Sequence, residues 1–299
     1  MPHGSIRTAV MKPKYWIAAV LALVFLAFTL YGIYLKPQSR PIAQANKPLV
    51  LVSVPPQRQF LKQLAGEWID VEVLVPPAAN PETYEPNLAQ MQRLARAQLY
   101  IALGHPNFLF EAVWLPKLRA QYPALRIVGF DRPAYDDAGD PHPWLSLFWM
   151  RQHLTLMAQE LLLLLPEHAD EINLRAQKLL DQINVLDQSL AQKFAPYRGR
   201  AFLVAHPAWS ALAAQYGLQQ LAIEQGHKEP DARMLGVLIA QARHAQIHTV
   251  FVQPQFDQKH ARVLAQALGA QVQVADPMAQ DWFANLSNFA DNLVASWKQ

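Results

Sequence analysis

The sequence predicts two similar α/β lobes joined by one long rigid helix. Three observations carry that expectation. From about residue 48 to the end, apolar runs of strand length alternate with segments of helical period. Such alternation marks a mostly parallel sheet covered on both faces. The alternation stops once, between Pro166 and Gly199, where residues 167–195 contain neither Pro nor Gly and Ile172, Leu179, Ile183, Leu186 and Leu190 share a stripe. It then resumes in the same style. With 299 residues, 52% of them hydrophobic, the chain is long enough for one large or two smaller cores.

The elements follow in order. Basic Arg7, Lys12 and Lys14 precede the uncharged run Tyr15 to Leu35, which is long enough to cross a bilayer as a helix. "AQA", Ala43 to Ala45, offers a cleavage site. A signal peptide and a retained membrane anchor are both open; either way the remainder is expected to be exported, with the basic flank kept inside. "KPLVLVSVPP" reads as a buried strand stopped by two prolines, "RQFLKQLAG" as a helix, "IDVEVLVPP" as a second strand and "AANPETYEPN" as a loop. "LAQMQRLARAQ" has a helical period; "LYIALG" and "LRIVGF" are further short strands. From Leu145 the pattern turns helical up to Pro166. Pro166 suits a helix start and Gly199 lies just beyond the end, giving about 28 residues and roughly 40 Å. "AFLVAH", "LQQLAIEQG", "HTVFVQP" and "AQVQVADP" supply the strands of the second half, and "WFANLSNFADNLVASW" a closing helix. The expected divisions are 1–46 for the signal peptide or anchor, 47–166 for the first lobe, 167–198 for the linking helix and 199–299 for the second lobe.

Composition narrows the function. Lys and Arg number 26, Asp and Glu 23, for a net charge of +3. The basic residues are scattered, with no basic arm and no aromatic–basic interleaving, so no nucleic-acid partner is expected. The chain has no cysteine, which removes disulfides, thiolate catalysis and Cys-type zinc sites. There is no HExxH, GxSxG or phosphate loop. Any bound metal must use His, Asp and Glu.

In open α/β sheets, ligands sit outside the carboxyl ends of strands. Four side chains occupy such places: Glu82 in "NPETYEP", His142 in "DPHPW", His206 ending "AFLVAH" and Asp276 ending "VQVADP". Two come from each half, so a site can form in the cleft between the lobes. His142 stands between two prolines and before Trp144, a backbone that holds an imidazole still. Two neutral imidazoles and two ionised carboxylates supply −2 to a divalent cation, and zinc accepts both donor types in tetrahedral geometry. His105, in "LGHPNFLFE", is a fifth candidate. A metal hydrolase would want an open coordination position for water, and four protein ligands leave none, so the chain is not expected to be an enzyme.

The same motifs resemble, in order, those of the metal-binding receptors of ABC importers for zinc and manganese. "VLVPPAANPETYEPN", "DPHPWLS", "FLVAHPAWSALAAQYGL", "EPDARMLGVLIAQARHAQIHTVFVQPQFD" and "VADPM" carry the likeness across nearly the whole exported part. The resemblance implies a periplasmic receptor, free or anchored to the inner membrane, with the metal between two lobes. It implies an ABC permease and its ATPase as partners, with Zn2+ as first cargo and Mn2+ as second. His142, His206 and Asp276 fall on family ligand positions. Glu82 falls where the family has a histidine, which shifts the set toward the oxygen donors that manganese prefers; alternatively His105 replaces Glu82. "DRPAYDDAGD" lacks the histidines of the loop found in many zinc receptors, and Gln253 or Gln255 stands where an acid is familiar. These departures motivate a rival reading: a membrane-anchored interaction or assembly protein on the same scaffold, with weak or lost metal binding.

Overall fold

Short runs of Val, Leu, Ile and Phe with no charge suit strands of a sheet that is covered on both faces. Four such runs form the centres of two sheets. The computed structural model describes residues 47–129, 140–224 and 231–298. The apolar run Tyr15 to Leu35, the "AQA" site, most of "DRPAYDDAGD" and Glu229–Pro230 lie outside the described residues. Among the described residues, no helix is long and apolar enough to cross a membrane.

The first sheet contains β1 (Leu49–Val52), β2 (Asp70–Val73), β3 (Leu99–Ile101) and β4 (Arg126–Val128). Its order is β2-β1-β3-β4 and every pairing is parallel. The second contains β5 (Ala201–Val204), β6 (Gln219–Ala222), β7 (Thr249–Val252) and β8 (Gln271–Val274) in the equivalent order β6-β5-β7-β8, again all parallel. The central strands β1, β3, β5 and β7 are almost wholly buried, whereas the edge strands "DVEV", "RIV", "QQLA" and "QVQV" admit charged or polar residues. At the end of β4, Gly129 has φ +92°, and a Cβ there would lie 2.3 Å from the Ala102 carbonyl oxygen. The approach of these two strands requires a glycine.

The helices of the first lobe are α1 (Pro55–Ala65), α2 (Leu88–Leu94), α3 (Leu109–Gln121) and α4 (Leu147–Leu164). The prolines that stop β1 also start α1, as the first two residues of its first turn. One helix has no counterpart in the sequence reading: α3 carries Pro116 in its interior, a helix-breaking signal. The linking helix α5 (Ala169–Phe194) has 26 residues and spans about 39 Å. It is slightly shorter than expected because tight 3-10 turns, Pro166–His168 and Ala195–Tyr197, take up its two ends. The expected stripe of Ile172, Leu179, Ile183, Leu186 and Leu190 is its buried face. In the second lobe follow α6 (Ser210–Tyr216), α7 (Ala232–His244), α8 (Lys259–Leu268) and α9 (Trp282–Ser296). Side-chain oxygens of Asn87, Ser146, Asp231 and Asp281 cap α2, α4, α7 and α9.

Two tryptophans clasp the lobes. Trp144 Nε1 donates to the Pro277 carbonyl at 2.7 Å, and Trp282 Nε1 donates to the Trp144 carbonyl at 2.6 Å. Both rings are fully buried. Gln59 in α1 adds a third tie by accepting from the Trp282 N–H at 2.7 Å. The cleft floor is thus a packed seam tied by hydrogen bonds.

Candidate metal centre

The carboxyl ends of the strands supply the candidate residues, as parallel order requires. Glu82 follows β2, His105 follows β3 and His142 follows β4. His206 follows β5, Glu224 follows β6, Gln253 and Gln255 follow β7, and Asp276 follows β8.

His142 and His206 meet across the cleft. Their Nε2 atoms are 3.3 Å apart, and the rings stand nearly perpendicular with centroids 5.1 Å apart. Both are buried. Each ring is held from its other nitrogen. His142 Nδ1 lies 2.6 Å from Asp140 Oδ1, and the same oxygen accepts the His142 backbone N–H at 3.1 Å. His206 Nδ1 lies 2.7 Å from Glu224 Oε2. An ionised carboxylate only accepts hydrogen bonds, so each Nδ1 carries a proton, and in the neutral ring Nε2 is then the acceptor atom. The His206 ring also stacks on Phe256, with centroids 4.0 Å apart. Its backbone is braced on both sides by buried Gln253, whose Oε1 accepts from His206 N at 3.1 Å and whose Nε2 donates to His206 O at 2.8 Å. Burial lowers the basicity of His206, partly offset by its bond to Glu224. The neutral form is the one that can ligate a metal.

Glu82 reaches the same point: its Oε1 is 3.7 Å from His206 Nε2. Asp276 is held within the second lobe. Its Oδ1 accepts from Gln255 Nε2 at 2.7 Å and from Met278 N at 2.9 Å, while Gln255 Nε2 also reaches the Pro77 carbonyl of the first lobe at 2.8 Å. His105 is buried, and its Nδ1 accepts the Asn107 N–H at 3.1 Å. Burial pushes its basicity down; Asp140 opposes that shift and His142 adds to it. Among the described residues, no group of three or more His, Cys, Asp or Glu side chains is gathered closely enough to hold a metal ion. Two histidines therefore meet in direct contact with Glu82 close by, and a complete four-residue cage is not drawn together.

Sequence reasoning singled out neither Asp140 nor Glu224 as partners of the histidines. Asp140 had a local signal, standing two residues before His142. Glu224 had none, because only the parallel pairing of β5 with β6 brings it beside His206. The glutamines noted for their missing charge prove to be braces, Gln253 for His206 and Gln255 for Asp276.

A buried polar layer lies under the first lobe's share of the site. Glu111 accepts from Leu103 N at 2.7 Å, from Gly104 N at 2.9 Å and from Ser53 Oγ, which also meets Tyr100 Oη at 2.8 Å. Burial raises the Glu111 carboxyl to about 6 against these bonds. Gln57 Nε2 donates to Ile101 O at 3.0 Å and lies 2.9 Å from His153 Nε2. Burial depresses His153 to about 3.

Known proteins resemble this chain in sequence and fold to different extents. The chain is 25% identical over 246 residues to the zinc-binding lipoprotein AdcA of Streptococcus pneumoniae, covering 75% of this chain and 48% of that longer protein. It is similar to the crystal structure of ZnuA, with TM-score 0.77 and 33% identity over 83% of this chain and 98% of the other. A ZnuA deletion mutant with zinc bound gives the same TM-score of 0.77 at 34% identity, covering 83% and 97% of the two chains. Residues 50–296 match the family model described as the periplasmic zinc-uptake complex component A, and this chain belongs to that family.

Proposed function

We propose that the chain is the receptor of an ABC importer on the periplasmic side. It would capture a divalent cation between its lobes and deliver it to a membrane permease driven by an ATPase. Zinc is the preferred cargo and manganese the second. The ligands are His142 and His206, with Glu82 and Asp276 supplying the two negative charges that match the ion.

One observation carries this reading. Two buried imidazoles, each with Nδ1 turned to a carboxylate, bring their Nε2 atoms face to face at 3.3 Å. With both rings neutral these atoms present lone pairs that repel, and a shared cation turns the repulsion into two bonds. Tetrahedral zinc with bonds of about 2.0–2.1 Å places its donor atoms about 3.3 Å apart. The histidine pair already has that edge, and Glu82 at 3.7 Å needs only a small adjustment to supply a third donor. Asp276 completes the set by a loop movement that brings its second carboxylate oxygen to the ion while Oδ1 keeps Gln255. The uptake-complex family and the zinc-bound relative support the same ion.

The test is metal analysis of protein purified without a metal column, followed by titration with zinc and manganese. One zinc per chain is expected, with affinity lost in His142→Ala and His206→Ala. Failure to take up either ion at micromolar concentration would defeat the proposal.

A further inference from the structure

We propose that Glu224 is the residue that fixes His206 as a zinc ligand, and that it biases this site toward zinc over manganese. This rests on the receptor reading above and adds a positioning residue to it.

The placement of Glu224 is architectural. β5 and β6 run parallel, with Val204 beside Ala222. Two residues further on, the pairing continues: Ile223 N donates to Val204 O at 3.0 Å and Glu224 N donates to Ala205 O at 3.0 Å. His206 and Glu224 are thus carried off neighbouring strand ends side by side. The Glu224 carboxylate spans the gap to Nδ1 at 2.7 Å, and the opposite nitrogen is aimed at His142 and Glu82. The Phe256 ring prevents the imidazole from tilting, and Gln253 fixes its backbone. The remaining freedom is the choice of tautomer, and Glu224 makes that choice.

The chemical consequence follows from charge. A carboxylate on Nδ1–H makes Nε2 a stronger donor. Zinc gains more from a basic imidazole than manganese does, because manganese depends on oxygen ligands. Glu82, an oxygen donor where the family pattern has nitrogen, moves the site toward manganese; Glu224 acts against that shift through His206.

The experiment uses the full chain freed of metal by chelation. Zinc and manganese affinities are measured by chelator competition for the unsubstituted protein, Glu224→Ala and Glu224→Gln. The His206 tautomer is read separately from long-range 15N–1H correlations in the metal-free protein. Glu224→Ala is expected to lose about 10- to 100-fold in zinc affinity, to lose less for manganese, and to convert His206 from one tautomer to a mixture. Glu224→Gln keeps an acceptor oxygen without the charge and is expected to keep the tautomer and lose less. Zinc affinity within twofold of the unsubstituted protein in Glu224→Ala would overturn the proposal. So would a single Nδ1–H tautomer that persists in that variant. If the unsubstituted protein binds no zinc, the receptor reading fails, while the tautomer measurement still judges Glu224.

Discussion

The two lobes present the same kind of side chain, a buried histidine, by different means. In the first lobe, His142 is held by a neighbour in its own loop: Asp140, two residues back, takes both its ring and its backbone N–H. In the second, His206 is held by residues 18 and 47 positions away, Glu224 and Gln253. The underlying layers differ as well. Beneath the first lobe's strand ends lie two buried ionisable groups, Glu111 and His153; the matching brace in the second lobe is the neutral Gln253. A locally built ligand needs only its loop, whereas a ligand built across strands needs the sheet to be in register. Glu111 and His153 should therefore make the first lobe acid-sensitive, and the second lobe should carry the sensitivity of the site to distant substitution.

The largest expected effect removes one imidazole. His142→Ala and His206→Ala should each weaken zinc binding by more than about 100-fold, since loss of a direct ligand exceeds the 10- to 100-fold typical of its supporting partner. Equal losses measured by chelator competition would show the lobes contributing alike despite their different construction. If one variant kept its affinity, the symmetric picture would be broken.

The next effect concerns pH. The folded chain resists protonating His153 until about pH 3, while the unfolded histidine takes its proton near 6.5. Stability from this group is complete above 6.5 and is lost as pH falls toward 3. Glu111 has the opposite sign: its folded carboxyl takes a proton near pH 6 and the unfolded one near 4.5, so it adds stability as pH falls across that window. Between pH 6 and 4.5 the loss from His153 is about 2 kcal/mol and the gain from Glu111 about 1 kcal/mol, so Glu111 offsets part of the loss. Urea unfolding at several pH values should therefore show a loss of stability across this window that Glu111 moderates in the unsubstituted chain. In Glu111→Gln, stability should fall by about 1 kcal/mol more than in the unsubstituted chain over the same range. A flat profile in that variant would mean the first lobe is not the acid-sensitive one.

The smallest effect tests the tie between the lobes. Gln255→Ala removes hydrogen bonds to Pro77 O and Asp276. A loss of about 1 kcal/mol, or roughly fivefold in zinc affinity, is expected if the tie preorganises Asp276. A gain in affinity would instead show that Gln255 restrains Asp276 from reaching the ion, and isothermal titration distinguishes the two signs.

Much of this was legible in the chain itself. Uninterrupted apolar runs fixed the central strands, and the Pro-free, Gly-free stripe fixed the long helix, because burial demands and helical periodicity are local properties. The prolines around His142 and the strand-end positions of Glu82, His206 and Asp276 marked the candidate ligands for the same reason. Helix α3 escaped because Pro116 contradicts its own helix locally while packing maintains it. Only the tertiary structure decided that His142 and His206 meet Nε2 to Nε2, that Glu224 stands behind His206, and that the uncharged Gln253 and Gln255 serve as braces. Those facts depend on strand register and on the packing of one lobe against the other, which bring together residues that no short stretch of sequence connects.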